Sequence, residues 1–136
     1  MQYYHAQSEK ISGTSYKEVY KKAHQIYKQI CRKSKRRAYI RSAYFEKNKI
    51  FLGLFWQHLE DHFNQNDKVR RLKFFACGLE LIQNSRFEPT SKENPNKLSE
   101  ILHRFIGITK NKEIFKVQIK EDKRSGEKFL ISIFPL

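Results

Sequence analysis

The chain has 136 residues and sets 28 Lys and Arg against 14 Asp and Glu, a formal charge of +14. With 39% hydrophobic and 14% aromatic residues it holds enough apolar material for a core, which excludes wholesale disorder, and its length suits one domain. Its apolar runs, such as residues 50–56, fall far short of the roughly 20 residues that a bilayer span needs. The MQYYHAQSEK start lacks the apolar centre of a signal peptide. Two cysteines are too few for a disulfide framework, so the expected setting is the cytoplasm with reduced thiols.

Residues 1–13 read as a flexible leader. Ser15 with Glu18 three positions on matches a capping box. From there Tyr16, Val19, Tyr20, Ala23, Ile26, Tyr27 and Ile30 recur at three- and four-residue steps, predicting an amphipathic helix to about Cys31. Residues 37–44 fit either a short extended segment or a connector. A second helix is expected over about 50–63, with Phe51, Leu52, Phe55, Trp56 and Leu59 as its buried stripe, followed by a polar NQND turn. A third is expected over about 68–83, burying Leu72, Phe75, Ala76, Leu79 and Ile82. Residues 86–100, with Pro89 and Pro95, read as irregular. The period then changes to two, predicting strands over 103–109, 113–120 and 128–134 with turns at 111–112 and 122–126. The expected architecture is α+β. A single domain over 14–136 packs N-terminal helices (about 14–85) on one face of a small C-terminal antiparallel meander (about 100–136).

The charge is concentrated. Residues 1–49 carry 13 Lys and Arg against 3 Glu, and the CRKSKRRAYIR run places Arg32, Lys33, Lys35, Arg36, Arg37 and Arg41 within ten positions. Such a cluster attracts polyanions, and each phosphate it neutralises releases condensed counterions. RNA is the expected partner, with DNA equally compatible on charge alone. Tyr39 and Tyr44 flank the run and offer rings for stacking. A membrane is not expected as partner, because the run is not part of a helix with a broad apolar face.

Alternation sorts the strand residues by face. Lys116, Gln118 and Lys120 oppose Phe115, Val117 and Ile119, and the apolar set is the one the helices must cover. In the last strand strict alternation places Phe129, Ile131 and Ile133 on one side and Lys128, Leu130, Ser132 and Phe134 on the other. The open face therefore shows Lys116, Gln118, Lys120 and Ser132. The 103–109 strand adds either His103 or Arg104 to it, depending on register. RNA cleavage without a metal uses such a set: a base for the 2′-hydroxyl, cations for the phosphorane and an acid for the leaving oxygen. A solvated sheet face rich in Lys is equally an ordinary feature of antiparallel sheets. His58, Asp61 and His62 lie one helical turn apart, but HLEDH is not HExxH, and no metal is expected. With five glycines and no phosphate loop, no cofactor is expected either.

The order of helices before strands, with the closing LISIFP at 130–135, resembles the phage and mobile-element branch of the barnase/EndoU/colicin/RelE-like (BECR) ribonucleases. The resemblance covers roughly residues 68–136. It implies a metal-independent RNA endonuclease of toxin or mobile-element type. His103 would be its acid/base, Arg104 and Lys116 or Lys120 its phosphate-stabilising cations, and Ser132 a positioning hydroxyl. Gln118 and the Arg32–Arg41 cluster would bind the strand, and an acidic inhibitor protein is a further expected partner. The Glu-plus-His pair of the barnase branch has no clear match here, although Glu88 and Glu100 lie near the strands. The alternative is a non-catalytic nucleic-acid-binding module, or an accessory subunit of a nucleoprotein complex, using the same charge.

Overall fold

The computed structural model describes residues 2–136, the side chain of His62 excepted. In chain order its elements are β1 (Tyr4–His5), α1 (Tyr16–Lys33), β2 (Tyr39–Arg41), β3 (Lys49–Phe51), α2 (Gly53–His62), α3 (Gln65–Leu72), α4 (Phe75–Asn84), β4 (Thr90–Asn94), β5 (Lys97–Ile108), β6 (Ile114–Asp122) and β7 (Lys128–Pro135). The strands form one sheet in the order β1-β5-β6-β7-β3-β2, with β4 also paired to β5.

This corrects the expected fold. The sheet is mixed and seven-stranded rather than a C-terminal antiparallel meander under N-terminal helices, and strands β1 to β3 alternate with the helices along the chain. β5, β6 and β7 do pair antiparallel, but β1 runs parallel to β5 and β3 parallel to β7. Strands of two or three residues carry no period of their own. A run such as Ile50-Phe51-Leu52 fits a helical stripe as well as a strand, and only its partner decides. The expected helix over 50–63 accordingly divides into β3 and α2. Of the segment expected as a flexible leader, residues 4–11 are tied to the domain: β1 lies in the sheet, Ala6 is buried and its N–H donates to Ile108 O at 2.9 Å, and Ile11 N–H reaches Lys73 O at 2.9 Å.

The first helix forms as its cap residues dictate. Ser15 Oγ accepts from Glu18 N–H at 3.2 Å, and Glu18 returns a carboxylate oxygen to Thr14 N–H at 3.1 Å. The expected helix over 68–83 is instead two helices. Asn64 caps α3 by accepting from Asp67 N–H at 2.9 Å, and the chain breaks at Lys73–Phe74 before α4. The break has a packing cause. Phe74 and Phe75 are both buried, Phe74 stacked on Phe115 at 5.6 Å and Phe75 tilted against Phe55 at 5.2 Å. The two neighbouring rings at the break thus reach different partners, one on β6 and one on α2.

α4 is pressed onto the sheet where the sequence provides glycines. A Cβ on Gly78 would stand 2.4 Å from Ile133 Cδ1, and one on Gly107 would stand 2.6 Å from Phe115 Cζ and 3.0 Å from Leu81 Cδ1. The helix-covered face carries Phe105, Phe115, Val117, Ile119, Leu130 and Ile133, all buried. Gly107 faces Phe115 across the β5–β6 pair, so the odd-numbered residues of β5 share the helix side. Between Gln118 and Ile119 the β6–β7 pairing shifts by one, with Gln118 opposite Ser132 but Ile119 opposite Leu130. This bulge inverts the first half of β7 relative to strict alternation. Leu130 and Lys128 turn to the helix side, and Phe129 turns to the open side.

Candidate nucleic-acid interface

On the open face the cross-strand rows read Arg104–Gln118–Ser132, Ile106–Lys116–Phe134 and Leu102–Lys120–Phe129. Arg104, Lys116, Gln118 and Lys120 thus share this face with Ser132, which is itself only 7% exposed. Arg104 Nη2 donates to Gln118 Oε1 at 2.9 Å. From the far side, Arg71 of α3 reaches over β7 and donates Nη1–H to Ser132 Oγ at 2.7 Å. Two guanidiniums flank one ring, since Arg71 lies 5.3 Å and Arg104 5.5 Å from the Phe134 centroid. Arg71 is itself held flat against Phe63 at 3.7 Å.

Lys120 is less available for a polyanion than Lys116. Its Nζ pairs with Glu100 at 3.2 Å, and Lys97 joins the same carboxylate at 3.4 Å. Burial raises the Glu100 pKa, but the hydrogen bonds from Lys120 and Asn94 and the two lysine charges outweigh it and hold the carboxyl below its usual range. Two hollows border this surface. One of about 220 Å³ gathers Glu88, Thr90, Arg104 and Lys116, and one of about 230 Å³ lies between α2 and Lys120.

His103 is on the other side. It pairs with Ile119 on the helix-covered face and is only 7% exposed, so the structure does not bring it to Arg104, Lys116, Lys120 or Ser132. Gly107 explains the register: it faces the helices because no larger residue fits beneath Phe115 and Leu81, and His103 shares its parity. The imidazole sits in a relay across three strands. Nε2 is 2.8 Å from Glu121 Oε1 and Nδ1 is 2.7 Å from Ser91 Oγ, while Phe45 packs edge-on at 4.9 Å. An ionised carboxylate can only accept, so Nε2 carries a proton, and in the neutral ring Nδ1 accepts from the Ser91 hydroxyl. Lys128, turned inward by the bulge, donates to Asn48 Oδ1 at 2.9 Å beside the same Phe45 ring.

The basic cluster lies around the end of α1 and β2. Arg32 and Lys33 occupy the last turn of α1, where they also complement the helix dipole. Lys35 and Arg36 are exposed in the following loop. Arg37 pairs with Glu127 at 2.6 Å and lies 3.9 Å over Phe51. Arg41 donates to Lys47 O at 3.0 Å, with its guanidinium 5.4 Å from Tyr39. Tyr44 is half-buried and packs edge-on against Phe45 and Phe105. The cluster joins the open face through a row of contacts: Arg37 on Phe51, Phe51 on Phe129 at 5.8 Å, and Phe129 under Lys120 at 5.4 Å.

Arg71, Phe134, Ser91 and Glu121 are the participants that pattern reading missed. Arg71 and Ser132 are 61 positions apart, and nothing in VRRLKFF marks which arginine crosses to the sheet. Glu121 and Ser91 come beside His103 only through the β4–β5 and β5–β6 registers, which involve two segments at once. Among the described residues no group of three or more His, Cys, Asp or Glu is placed to hold a metal ion. The His62 side chain of the HLEDH segment lies outside the described residues. In comparisons with known proteins, no family model, curated protein or solved structure matches the chain.

Proposed function

We propose that this protein binds single-stranded RNA across the open face of its sheet, with the Arg32–Arg41 cluster extending the contact. The observation that carries the reading is the half-exposed Phe134 ring with the Arg71 and Arg104 guanidiniums 5.3 and 5.5 Å from its centroid, beside Lys116 and Gln118. A half-exposed ring with two guanidiniums near it offers a base a stacking partner and its phosphates two cationic forks, the combination on which single-strand binding rests. The half-exposed ring also accounts for a side chain that a purely solvated face would not keep. Among the described residues no helix is long and apolar enough to cross a membrane. The reading places the protein in the cytoplasm, where an acidic protein laid over the same face would compete with RNA.

The test is fluorescence anisotropy with a short labelled RNA over a series of KCl concentrations. Phe134→Ala should weaken binding by about 1–3 kcal/mol, roughly 5- to 150-fold, with the salt slope unchanged. Arg104→Ala should lower the log–log salt slope by about 0.7 for each phosphate that is no longer neutralised. Wild-type affinity and slope in both variants would overturn the reading.

One observation favours a second reading, metal-independent cleavage on the same face: the hollow that gathers Glu88, Arg104 and Lys116. Glu88 would take the 2′-hydroxyl proton, Arg104 would offset the phosphorane charge, and the Lys116 ammonium would protonate the departing 5′ oxygen. Incubating labelled RNA in excess EDTA decides it. Products ending in 2′,3′-cyclic phosphate that disappear with Glu88→Gln but persist with His103→Ala support it, and intact RNA that stays bound refutes it.

A further inference from the structure

Between the end of α1, β3 and the start of α2 lies a cavity of about 450 Å³, walled by Tyr27, Phe51, Leu54 and Phe129 with Arg36 and Arg37 at its rim. Its volume is within the roughly 300–1,000 Å³ of small-ligand sites. The neighbouring hollows of about 840, 330, 230 and 220 Å³ each carry a carboxylate in their walls: Glu46, Glu80, Asp61 and Glu88. This one has two arginines and no acid. It also lies on the row of contacts that joins the basic cluster to the open face, because Phe51 and Phe129 belong to both.

We infer that this cavity is a nucleotide pocket that takes one unstacked purine of the bound RNA, with the adjoining phosphate on Arg36. The inference rests on the RNA-binding reading and specifies where a base is read. The walls supply aromatic and aliphatic surface for the ring. The Arg37 guanidinium is already held in place by Phe51 on one side and Glu127 at its edge, so little side-chain freedom remains to be lost when a base stacks on it. A purine offers more ring area to that stack than a pyrimidine does, which makes a purine the favoured base. Gly53 at the mouth leaves the entrance open, and a Cβ there would meet nothing within 4 Å.

That glycine provides the test. Gly53→Phe adds a ring beside the cavity at a position whose Cβ would meet nothing within 4 Å, and it replaces a poor helix former at the first position of α2, so the thermal midpoint should not fall. Cys31 provides an independent readout, because it is an exposed thiol in the cavity wall, whereas Cys77 is buried and its thiol is pushed up to about 11 by burial. GMP should slow maleimide labelling of Cys31 more than CMP does, and Gly53→Phe and Arg37→Ala should abolish that protection. The same two variants should weaken RNA binding by about tenfold or more.

No GMP protection, together with wild-type RNA affinity in Gly53→Phe, overturns the pocket. If Phe134→Ala still weakens RNA binding in that case, the RNA reading stands without it. GMP protection in a protein that fails to bind RNA overturns both the RNA reading and the source assigned to the base, leaving a free nucleotide as the ligand. Failure of both GMP and RNA to bind removes the two together.

Discussion

Glu80 of α4 ties the N-terminal segment to the domain, and replacing it measures what that segment contributes. Its carboxylate accepts from the Tyr4 hydroxyl, from Gln7 N–H at 2.8 Å and from Ser8 N–H at 2.7 Å. A hydrogen bond to a charged acceptor contributes roughly 1.5–3 kcal/mol. The simple sum overstates the loss, because Gln7 is exposed and Tyr4 and Ser8 are half-buried, so water can replace the missing acceptor. Glu80→Ala should therefore cost about 2–3 kcal/mol. For a chain of this size that is a fall of roughly 6–12 °C in Tm.

The effect should depend on pH. Burial raises the Glu80 pKa, but the hydrogen bonds from Ser8, Tyr4 and Gln7 together outweigh it and hold the carboxyl below its ordinary value. A carboxyl depressed in the folded state adds stability that is complete above its unfolded pKa of about 4.3 and is lost as the pH falls through the folded value. The gap between wild type and Glu80→Gln should thus be widest near neutrality and close in acid. Urea unfolding followed by circular dichroism across that range measures it. Amide exchange at Gln7, Ser8 and Ala6 should show the segment opening before the core. A gap below about 0.5 kcal/mol, or one that pH leaves unchanged, would refute the reasoning.

Two further outcomes follow from the packing and the strand register. Gly78→Ala gains about 1 kcal/mol of helix propensity but drives a Cβ to 2.4 Å from Ile133 Cδ1, an overpacking worth about 1–3 kcal/mol, so a net loss of about 1 kcal/mol is expected. Ile133→Val removes that atom and should recover stability in the double variant, which a double-mutant cycle by chemical denaturation reads directly. His103→Ala breaks the links to Ser91 and Glu121 and should cost about 2–3 kcal/mol, while the Kd for RNA stays unchanged, because the ring is on the helix side of the sheet. A weakened Kd at unchanged fold, measured by anisotropy, would place His103 in the RNA surface after all.

Features whose causes are local were legible along the chain. Ser15 and Glu18 announce α1, and the period of two over ILHRFIGIT, IFKVQIK and KFLISIF marks β5 to β7 with their turns. The apolar parity of β6 shows which of its faces is covered, and hence that Lys116, Gln118 and Lys120 share the other. Other features depend on pairings between distant segments. Strands β1 and β3 exist because distant partners at Gly107–Ile108 and Lys128–Phe129 complete their hydrogen bonds, and segments so short have no pattern to betray them. The Pro95–Asn96 turn of the β4–β5 hairpin sits in a stretch whose prolines and charges read as irregular. His103 and Arg104 were exchangeable by alternation alone until Gly107, pressed under Phe115 and Leu81, fixed the parity of β5. The bulge at Ile131, which turns Lys128 and Leu130 inward, and the reach of Arg71 to Ser132 arise from contacts between elements far apart in the chain. Local sequence sets what each segment prefers, but the face on which a side chain works is settled by register, and register is a property of two segments at once.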